Sequence, residues 1–598
     1  MRSSRKPLFA LSPGTGVRVP ENRTAVSVRR RGLRVSASRV YNERVERQES
    51  MAIDIRYPVS GLRSSEPVFG QALGRLEKKD VIARIWKKDH TVWKTKDDEI
   101  SNRLGWLEAP EKAAPLLAPY EVLAGELVRD GFSSALLLGM GGSSLAPEVF
   151  GRVFGSRKDR LKLRVLDSTD PEAVRRAAAR LQPESTFYIV SSKSGATLET
   201  TSLFNYFYSR LREHGHRRPT GRNFAAITDA GTPLEETAVR LRFRRIFHGD
   251  PECGGRFSVF TAFGLLPAAV LGMDAARLVA AGRRMAGLCR NADIRENPGA
   301  RLGAWLGASA LAGRDKAVFL LSPGLESFGA WLEQLIAEST GKEGKGILPI
   351  VRDHVIEPSA SAKDFVFIHL RLADDRTHDD VVSLLKKNGA PLVSFRLDDV
   401  YDLGGLFFLW EMAVAVAGSV LRINPFDQPN VAASKKKTET VLRLQKKDRL
   451  ARDKERTFAG DIRLFLGQAK PGDYIGIQAF LPPTRAVSGA LREFAVRLRA
   501  KTRLPVVYDF GPRFLHSTGQ LHKGDRGNGL FIQLTAARRG DLAVPGTPGG
   551  SPSPFSFGEL EYAQALGDRE ALVECGRRLL HIHLESVPAD IRRLLPIP

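Results

Sequence analysis

From Ser134 onward, short apolar runs alternate with longer stretches in which apolar residues recur at helical spacing. Short apolar runs bounded by glycine or polar clusters read as buried parallel strands, and the amphipathic stretches between them as crossover helices. A first set of strands is predicted at Ala135–Leu138, Leu163–Leu166, Phe187–Val190, Phe224–Ile227 and Arg245–Phe247. A second set follows at Ala317–Leu321, Phe365–Leu370 and Leu392–Phe395, with helices near 327–338 and 379–387. The pattern is that of an α/β protein with two doubly wound parallel sheets, broken near Asn297–Gly299. A third stretch (about 472–540) alternates again: Tyr474–Phe480, a helix over 484–500, then Val506–Phe510 and Leu530–Leu534. Before all of these, residues 51–130 read as mainly helical, anchored by Trp86, Trp93 and Trp106, and the Gly/Pro/Ser-rich run from Pro545 to Pro554 reads as a loop.

Length agrees with this division, because 598 residues exceed what one hydrophobic core organises. The expected parts are a disordered basic extension (1–50), a helical region (51–130), a first sheet domain (131–296), a second (297–470) and a C-terminal α/β region (471–598). The extension holds twelve Lys/Arg against four Glu, so it carries +8 of the formal +24. Its Arg- and Ser-rich composition suits a transit peptide or a disordered tail, and Met51 offers an alternative start. A positive charge of this size attracts phosphorylated substrates and polyanions in general. No groove-reading or aromatic nucleic-acid motif accompanies it, so nucleic-acid binding is not expected.

The apolar run Leu403–Leu421 approaches the length of a membrane span, but Glu411 stands in its middle, so a buried core helix is expected and no membrane partner. Cys253, Cys289 and Cys575 are too few and too scattered for a disulfide framework or a zinc cluster, which favours a reducing cytoplasm. The pairs His214/His216 and His581/His583 lack accompanying ligands and are read as surface or helix residues, not metal sites.

Six segments carry candidate chemistry. At Leu137-Leu138-Gly139-Met140-Gly141-Gly142-Ser143-Ser144 a strand runs into glycines and a helix start, which offers a phosphate close backbone approach and unpaired N–H groups. Ser144 stands where a dinucleotide fingerprint needs its third glycine. Ser191-Ser192-Lys193-Ser194-Gly195-Ala196-Thr197 repeats the arrangement, and Ser192, Ser194 and Thr197 can ring a phosphate monoester with Lys193 beside them. Successive strand ends of one parallel sheet share a crevice, so both loops can hold one ligand. In Gly254-Gly255-Arg256-Phe257-Ser258, a fixed guanidinium can stabilise a developing oxyanion. Gln334 and Glu338 lie one turn apart at the end of a helix, whose negative dipole end favours proton uptake by the carboxylate. The Gly-Lys run after it lacks the spacing of a P-loop. Asn424-Pro425-Phe426-Asp427-Gln428 precedes Lys435, Lys436 and Lys437, one of which can reach a sugar oxygen. Finally, His516 and His522 flank glycine in Gly511–Lys523 and can serve acid–base chemistry.

In order and context these segments resemble the phosphoglucose isomerase family, over roughly residues 55–598, and among its members the isomerase portion of the bacterial bifunctional transaldolase/phosphoglucose isomerases. The resemblance implies two sugar-isomerase (SIS) type sheet domains, a homodimer in the cytoplasm, no cofactor or metal, and interconversion of glucose 6-phosphate and fructose 6-phosphate in glycolysis and gluconeogenesis. It implies that Gly142, Ser143, Ser192, Lys193, Ser194 and Thr197 bind the phosphate. Glu338 is then the base moving a proton between C1 and C2, Arg256 stabilises the enediolate, Gln334 and Gln428 line the site, and Lys435 helps open the ring. Two departures stand out. Pro429-Asn430 replaces the family's Trp-Gly after Phe-Asp-Gln. No histidine fits the ring-opening position between Glu338 and Phe426, so His516 or His522 takes that role. A non-catalytic sugar-phosphate sensor would account for the serine/threonine loops but not for Arg256 together with Glu338.

Overall fold

The computed structural model describes residues 53–56, 66–215, 219–351, 363–443, 459–537 and 540–594. The extension expected over 1–50 lies outside the described residues. The region expected to be mainly helical does carry helices (Glu66–Lys78, Ala114–Arg129), but it also holds a strand, β1 (Ile53–Arg56). The first sheet consists of β2 (Ser134–Gly139), β3 (Lys162–Leu166), β4 (Thr186–Ser191), β5 (Phe224–Thr228) and β6 (Arg245–His248). All five are parallel, in the order β3-β2-β4-β5-β6. The second comprises β7 (Lys316–Leu321), β8 (Leu348–Ile350), β9 (Phe365–Leu372) and β10 (Leu392–Leu397), parallel in the order β10-β9-β7-β8. β1 closes its edge antiparallel to β10. Every strand expected in these two sheets is present; β1 and the three-residue β8 are additions to the expected set.

The C-terminal region forms a third parallel sheet from β11 (Tyr474–Phe480), β12 (Val506–Phe510) and β13 (Gly529–Ala536), completed after a hairpin by one more strand. The hairpin, β14 (Ala543–Pro545) with β15 (Pro552–Ser556), takes the two ends of the run expected to be a loop, and residues 546–551 between them are the loop. The last strand, β16 (Arg578–Leu584), joins β13, so the order is β12-β11-β13-β16. His581 and His583 therefore lie on a strand, where both hydrogen-bond the Thr535 hydroxyl.

Strand periodicity explains the layers. One face of β2 and β4 (Ala135, Leu137, Phe187, Ile189) shares a continuous core with one face of β7 and β9 (Ala317, Phe319, Val366, Ile368). The Ala262–Leu271, Pro298–Leu311, Glu326–Thr340 and Leu403–Leu421 helices belong to the same core. The first two sheets are thus fused through a helical layer. Asn297, at the expected break, caps the Pro298–Leu311 helix and is fully buried. The Leu403–Leu421 helix is long and apolar enough to cross a membrane by composition, yet it is buried inside the protein. Burial pushes the Glu411 carboxyl in its middle well above the usual carboxylate range. The aromatic anchors brace this helix: Trp93 donates to the Ala415 carbonyl (2.7 Å), and Trp106 packs on Phe408 and on Phe257, next to Arg256. The third sheet has a core of its own along one face of β11 and β13.

Candidate active site

The two glycine–hydroxyl loops emerge side by side, because β2 and β4 are neighbours and the loops follow their carboxyl ends. Two glycines are sterically required. Gly141 has φ +55°, and a Cβ there would lie 2.8 Å from Gln334 Nε2 and 3.0 Å from the His516 carbonyl. At Gly142 a Cβ would meet the Gly255 carbonyl at 2.1 Å, so the first loop lies directly against the arginine loop. The Ser191 hydroxyl ties the loops together by donating to the Ser143 carbonyl (3.1 Å). Ser192 donates to the Thr197 hydroxyl (3.0 Å), and Thr197 stands at the start of the Leu198–Glu213 helix without capping it by its side chain. Its hydroxyl and the exposed Ser194 line an open cavity together with Lys435, His516 and Glu199.

Lys193 is engaged by protein groups. Its Nζ is bound to Asp229 at 2.5 Å and to the carbonyls of Asp250 (3.0 Å) and Pro251 (3.3 Å). Its charge is paired with a carboxylate beyond the end of β5.

Arg256 is 3 % exposed and uses all three of its nitrogens. Nε donates to Ser339 Oγ (2.8 Å), Nη1 to Glu338 Oε1 (2.9 Å) and to Gln428 Oε1 (3.4 Å), and Nη2 to the carbonyls of Pro425 (2.6 Å) and Asp427 (3.2 Å). The Asn-Pro-Phe-Asp-Gln segment thus serves through its backbone as much as through its side chains. A guanidinium fixed at this many points cannot swing with solvent and presents its charge in one direction. The other Glu338 oxygen accepts from Gln334 Nε2 (3.0 Å), as the one-turn spacing predicts. Lys342 lies buried beneath, with Nζ donating to the carbonyls of Asn424 (2.6 Å) and Asp427 (2.6 Å) and to Asp427 Oδ1 (2.7 Å). Burial and the nearby Arg256 charge lower its pKa to about 7.

His516 comes from the third sheet, on the turn after β12. Its carbonyl accepts from Gln334 Nε2 (2.8 Å), and its Nε2 lies 2.9 Å from Glu199 Oε1. Glu199 also accepts from Gln564 Nε2 (2.7 Å), and Gln564 in turn accepts from Thr169 (2.7 Å). Burial pushes the Glu199 carboxyl up, but the charge and hydrogen bond of His516, helped by Lys435, outweigh burial and hold it down at about 2. An ionised Glu199 accepts only, so the hydrogen bond between them is donated by His516 Nε2. His522 is excluded from the cavity. It is buried against Tyr474, Phe514 and Phe531, and burial pushes its pKa well below the usual histidine value.

The structure therefore joins Glu199 to Arg256 through His516, Gln334 and Glu338, with Thr197 lining the same cavity as Glu199 and His516. Nothing in the local sequence marks Glu199, Gln564 or Lys342 as members of the site. An acid in the first turn of a helix needs no explanation beyond the helix dipole, and a lysine in a Gly-Lys run suggests solvent.

The family model described as phosphoglucose isomerase matches residues 124–348, which contain both loops, Arg256 and Glu338 but not Gln428, Lys435 or His516. A glucose-6-phosphate isomerase of a Geobacter species is 30% identical over 429 residues, covering 61% of this chain and 80% of that protein. One from Citrifermentans bemidjiense is 30% identical over 434 residues, with the same coverage of both chains. The crystal structure of a glucose-6-phosphate isomerase from Chlamydia trachomatis superposes with TM-score 0.55 at 20% identity, covering 71% of this chain and 94% of that one.

Proposed function

The chain belongs to the phosphoglucose isomerase family and works as a glucose-6-phosphate isomerase; from that premise we propose the part each residue plays. The phosphate of glucose 6-phosphate sits between the loops, on the hydroxyls of Ser143, Ser192, Ser194 and Thr197 and the backbone of Gly142. His516 and Lys435 act on the ring oxygen and the anomeric hydroxyl to open the pyranose, with Glu199 orienting the imidazole through Nε2. Glu338 then removes the C2 proton of the open-chain aldose. The electrons of that C–H bond form the C1–C2 double bond, and the negative charge develops on the carbonyl oxygen, where Arg256 stabilises it. Glu338 returns its proton to C1 as the O2 hydroxyl proton passes to O1, so that C2 becomes the carbonyl and fructose 6-phosphate results. Gln334 fixes the second carboxylate oxygen and Gln428 lies beside the guanidinium. The same reading carries a homodimer and a cytoplasmic setting.

The ion pair of Glu338 with Arg256 supports this assignment most strongly. The two side chains come from different sheet units and are 5 % and 3 % exposed at a separation of 2.9 Å. Breaking such a buried pair costs about 3–5 kcal/mol, so a purely structural role could have been filled more cheaply by apolar residues. A coupled assay with fructose 6-phosphate in deuterated water tests the reading. The wild-type chain labels C2 of the product, and Glu338→Gln loses labelling and turnover by about 10³-fold or more while still binding fructose 6-phosphate. Undiminished labelling in Glu338→Gln would remove the base.

A further inference from the structure

Three of the groups assigned to the chemistry sit on separate elements. Glu338 ends the Glu326–Thr340 helix, Lys435 lies in the Pro429–Arg443 helix, and His516 belongs to the third sheet. One side chain outside the reaction cavity touches two of these elements and belongs to the third. Gln520 lies one turn beyond His516, in the short Gly519–Gly524 helix, and is fully buried. Its Nε2 donates to the carbonyl of Gly341 (3.0 Å), the residue that caps the Glu338 helix, and to Asn430 Oδ1 (2.6 Å). Its Oε1 accepts from the Asn430 backbone N–H (2.9 Å), in the first turn of the Lys435 helix.

The surrounding packing leaves little slack. A Cβ on Gly341 would lie 2.3 Å from Leu521 Cα, and one on Gly524 would lie 2.1 Å from the Gly341 carbonyl. The short helix is therefore in backbone contact with the end of the Glu338 helix. A carboxamide has two donor hydrogens and one acceptor oxygen, and Gln520 commits both kinds at once, which fixes its orientation as well as its position. Orientation matters, because misplacing a reacting group by about 1 Å can cost about 10²-fold in rate.

We propose that Gln520 is a positioning residue for the isomerisation, holding the Lys435 helix and the Glu338 helix in register with His516 through its two-way amide pair with Asn430 and its bond to Gly341. The proposal rests on the roles given above to Lys435, His516 and Glu338. It also accounts for Asn430, whose side chain completes the amide pair at the departure from the family's Trp-Gly.

The experiment is a double-substitution cycle on the full chain, with kcat and KM for fructose 6-phosphate as the readouts. Gln520→Leu keeps the bulk and removes every hydrogen bond. It is expected to lower kcat by about 30- to 100-fold with KM within about 3-fold, since the phosphate loops are untouched. Asn430→Ala, a milder change at a half-buried residue, lowers kcat by about 5-fold alone and causes no further loss in the Gln520→Leu background. That second comparison stands even where Gln520→Leu folds poorly, because the kcat-against-KM split of Asn430→Ala can be read by itself. A rise in KM with kcat intact, or losses that multiply in the double variant, overturns the proposal. Lys435→Met and His516→Asn are measured alongside. If they leave kcat unchanged, the assignment of the site has failed; if they cripple turnover while Gln520→Leu does not, only the positioning role has failed.

Discussion

The first and third sheets share a topology and use it differently. Each is all parallel, and in each the first strand in sequence is flanked by the second on one side and the third on the other. That order opens a crevice at the carboxyl ends of the central pair. In the first sheet, glycine and hydroxyl residues fill the crevice at Gly139–Ser144 and Ser191–Thr197. In the third, the corresponding described ends read Phe480-Leu481-Pro482-Pro483 and Ala536-Ala537, apolar where the first sheet has glycines and hydroxyls. The third sheet reaches the reaction instead through the segment after its edge strand β12, which carries His516 and Gln520. Topology supplies a crevice; the residues at the strand ends decide whether anything binds there.

If the first sheet grips and the third opens the ring, their variants must fail in different ways. The largest effect is expected at His516. His516→Asn should lower kcat on glucose 6-phosphate and fructose 6-phosphate by about 10²- to 10⁴-fold, the usual range for a lost general acid–base. The same variant should act almost normally on 5-deoxyfructose 6-phosphate, a ketose lacking the hydroxyl that closes the furanose ring. An equal loss on that substrate would show that His516 serves proton transfer at carbon, and the division between the sheets would collapse.

A smaller effect is expected in the first sheet. Removing one hydroxyl by Ser192→Ala, or the other by Thr197→Val, deletes one hydrogen bond to the phosphate, worth about 1–1.5 kcal/mol, and the Ser192–Thr197 contact. KM for either sugar phosphate should rise about 10-fold, kcat should stay within about 3-fold, and the acyclic ketose should be affected equally. Steady-state kinetics on the cyclic and acyclic substrates decide it. A loss confined to kcat would mean that these hydroxyls do not face the phosphate.

The same division explains how much is legible in the residues alone. The strands of the first two sheets are short apolar runs between polar boundaries, and both phosphate loops sit directly at their ends, so local pattern reveals them. Arg256 and Glu338 stand in segments distinctive enough to be paired by their chemistry. What stays hidden depends on contacts distant in sequence. His516 meets Gln334 across 182 residues and Glu199 across 317, and no local pattern records either meeting. The ion pair of Lys193 is equally invisible, because Asp229 lies 36 residues away on the neighbouring strand end. β14 and β15 hide in a Gly/Pro/Ser-rich run, since their pairing comes from docking on the first sheet's helix: Asn205 donates to the Pro545 carbonyl (3.0 Å) and Ser209 accepts from the Gly549 N–H (2.8 Å). β8 is three residues long, too short to show a period.

The smallest expected effect is thermodynamic, and it probes the contact where the two sheets meet. Glu199 belongs to the first sheet's helix and His516 to the third sheet. In the folded protein the Glu199 carboxyl is held at about 2, against 4.5 for an unperturbed glutamate. The folded chain therefore binds fewer protons than the unfolded chain between those values, and the stability Glu199 supplies is complete above about pH 4.5 and lost as pH falls toward 2. Each pH unit in that window is worth about 1.4 kcal/mol. Glu199→Gln cannot titrate, so the variant lacks this acid loss, although it is the less stable protein at pH 6. Asp167, pushed up to about 6 by burial, loses stability in the opposite sense as pH rises through its own window, but it is common to both chains and cancels in the difference. Urea midpoints at pH 6, 4.5 and 3.5 should show the gap between wild type and Glu199→Gln narrowing by about 0.4 kcal/mol between the first two and by about 1 kcal/mol more at the third. A gap that stays constant down to pH 3.5 would mean that His516 does not hold Glu199 ionised, and the link between the gripping sheet and the ring-opening turn would have to run through Gln334 alone.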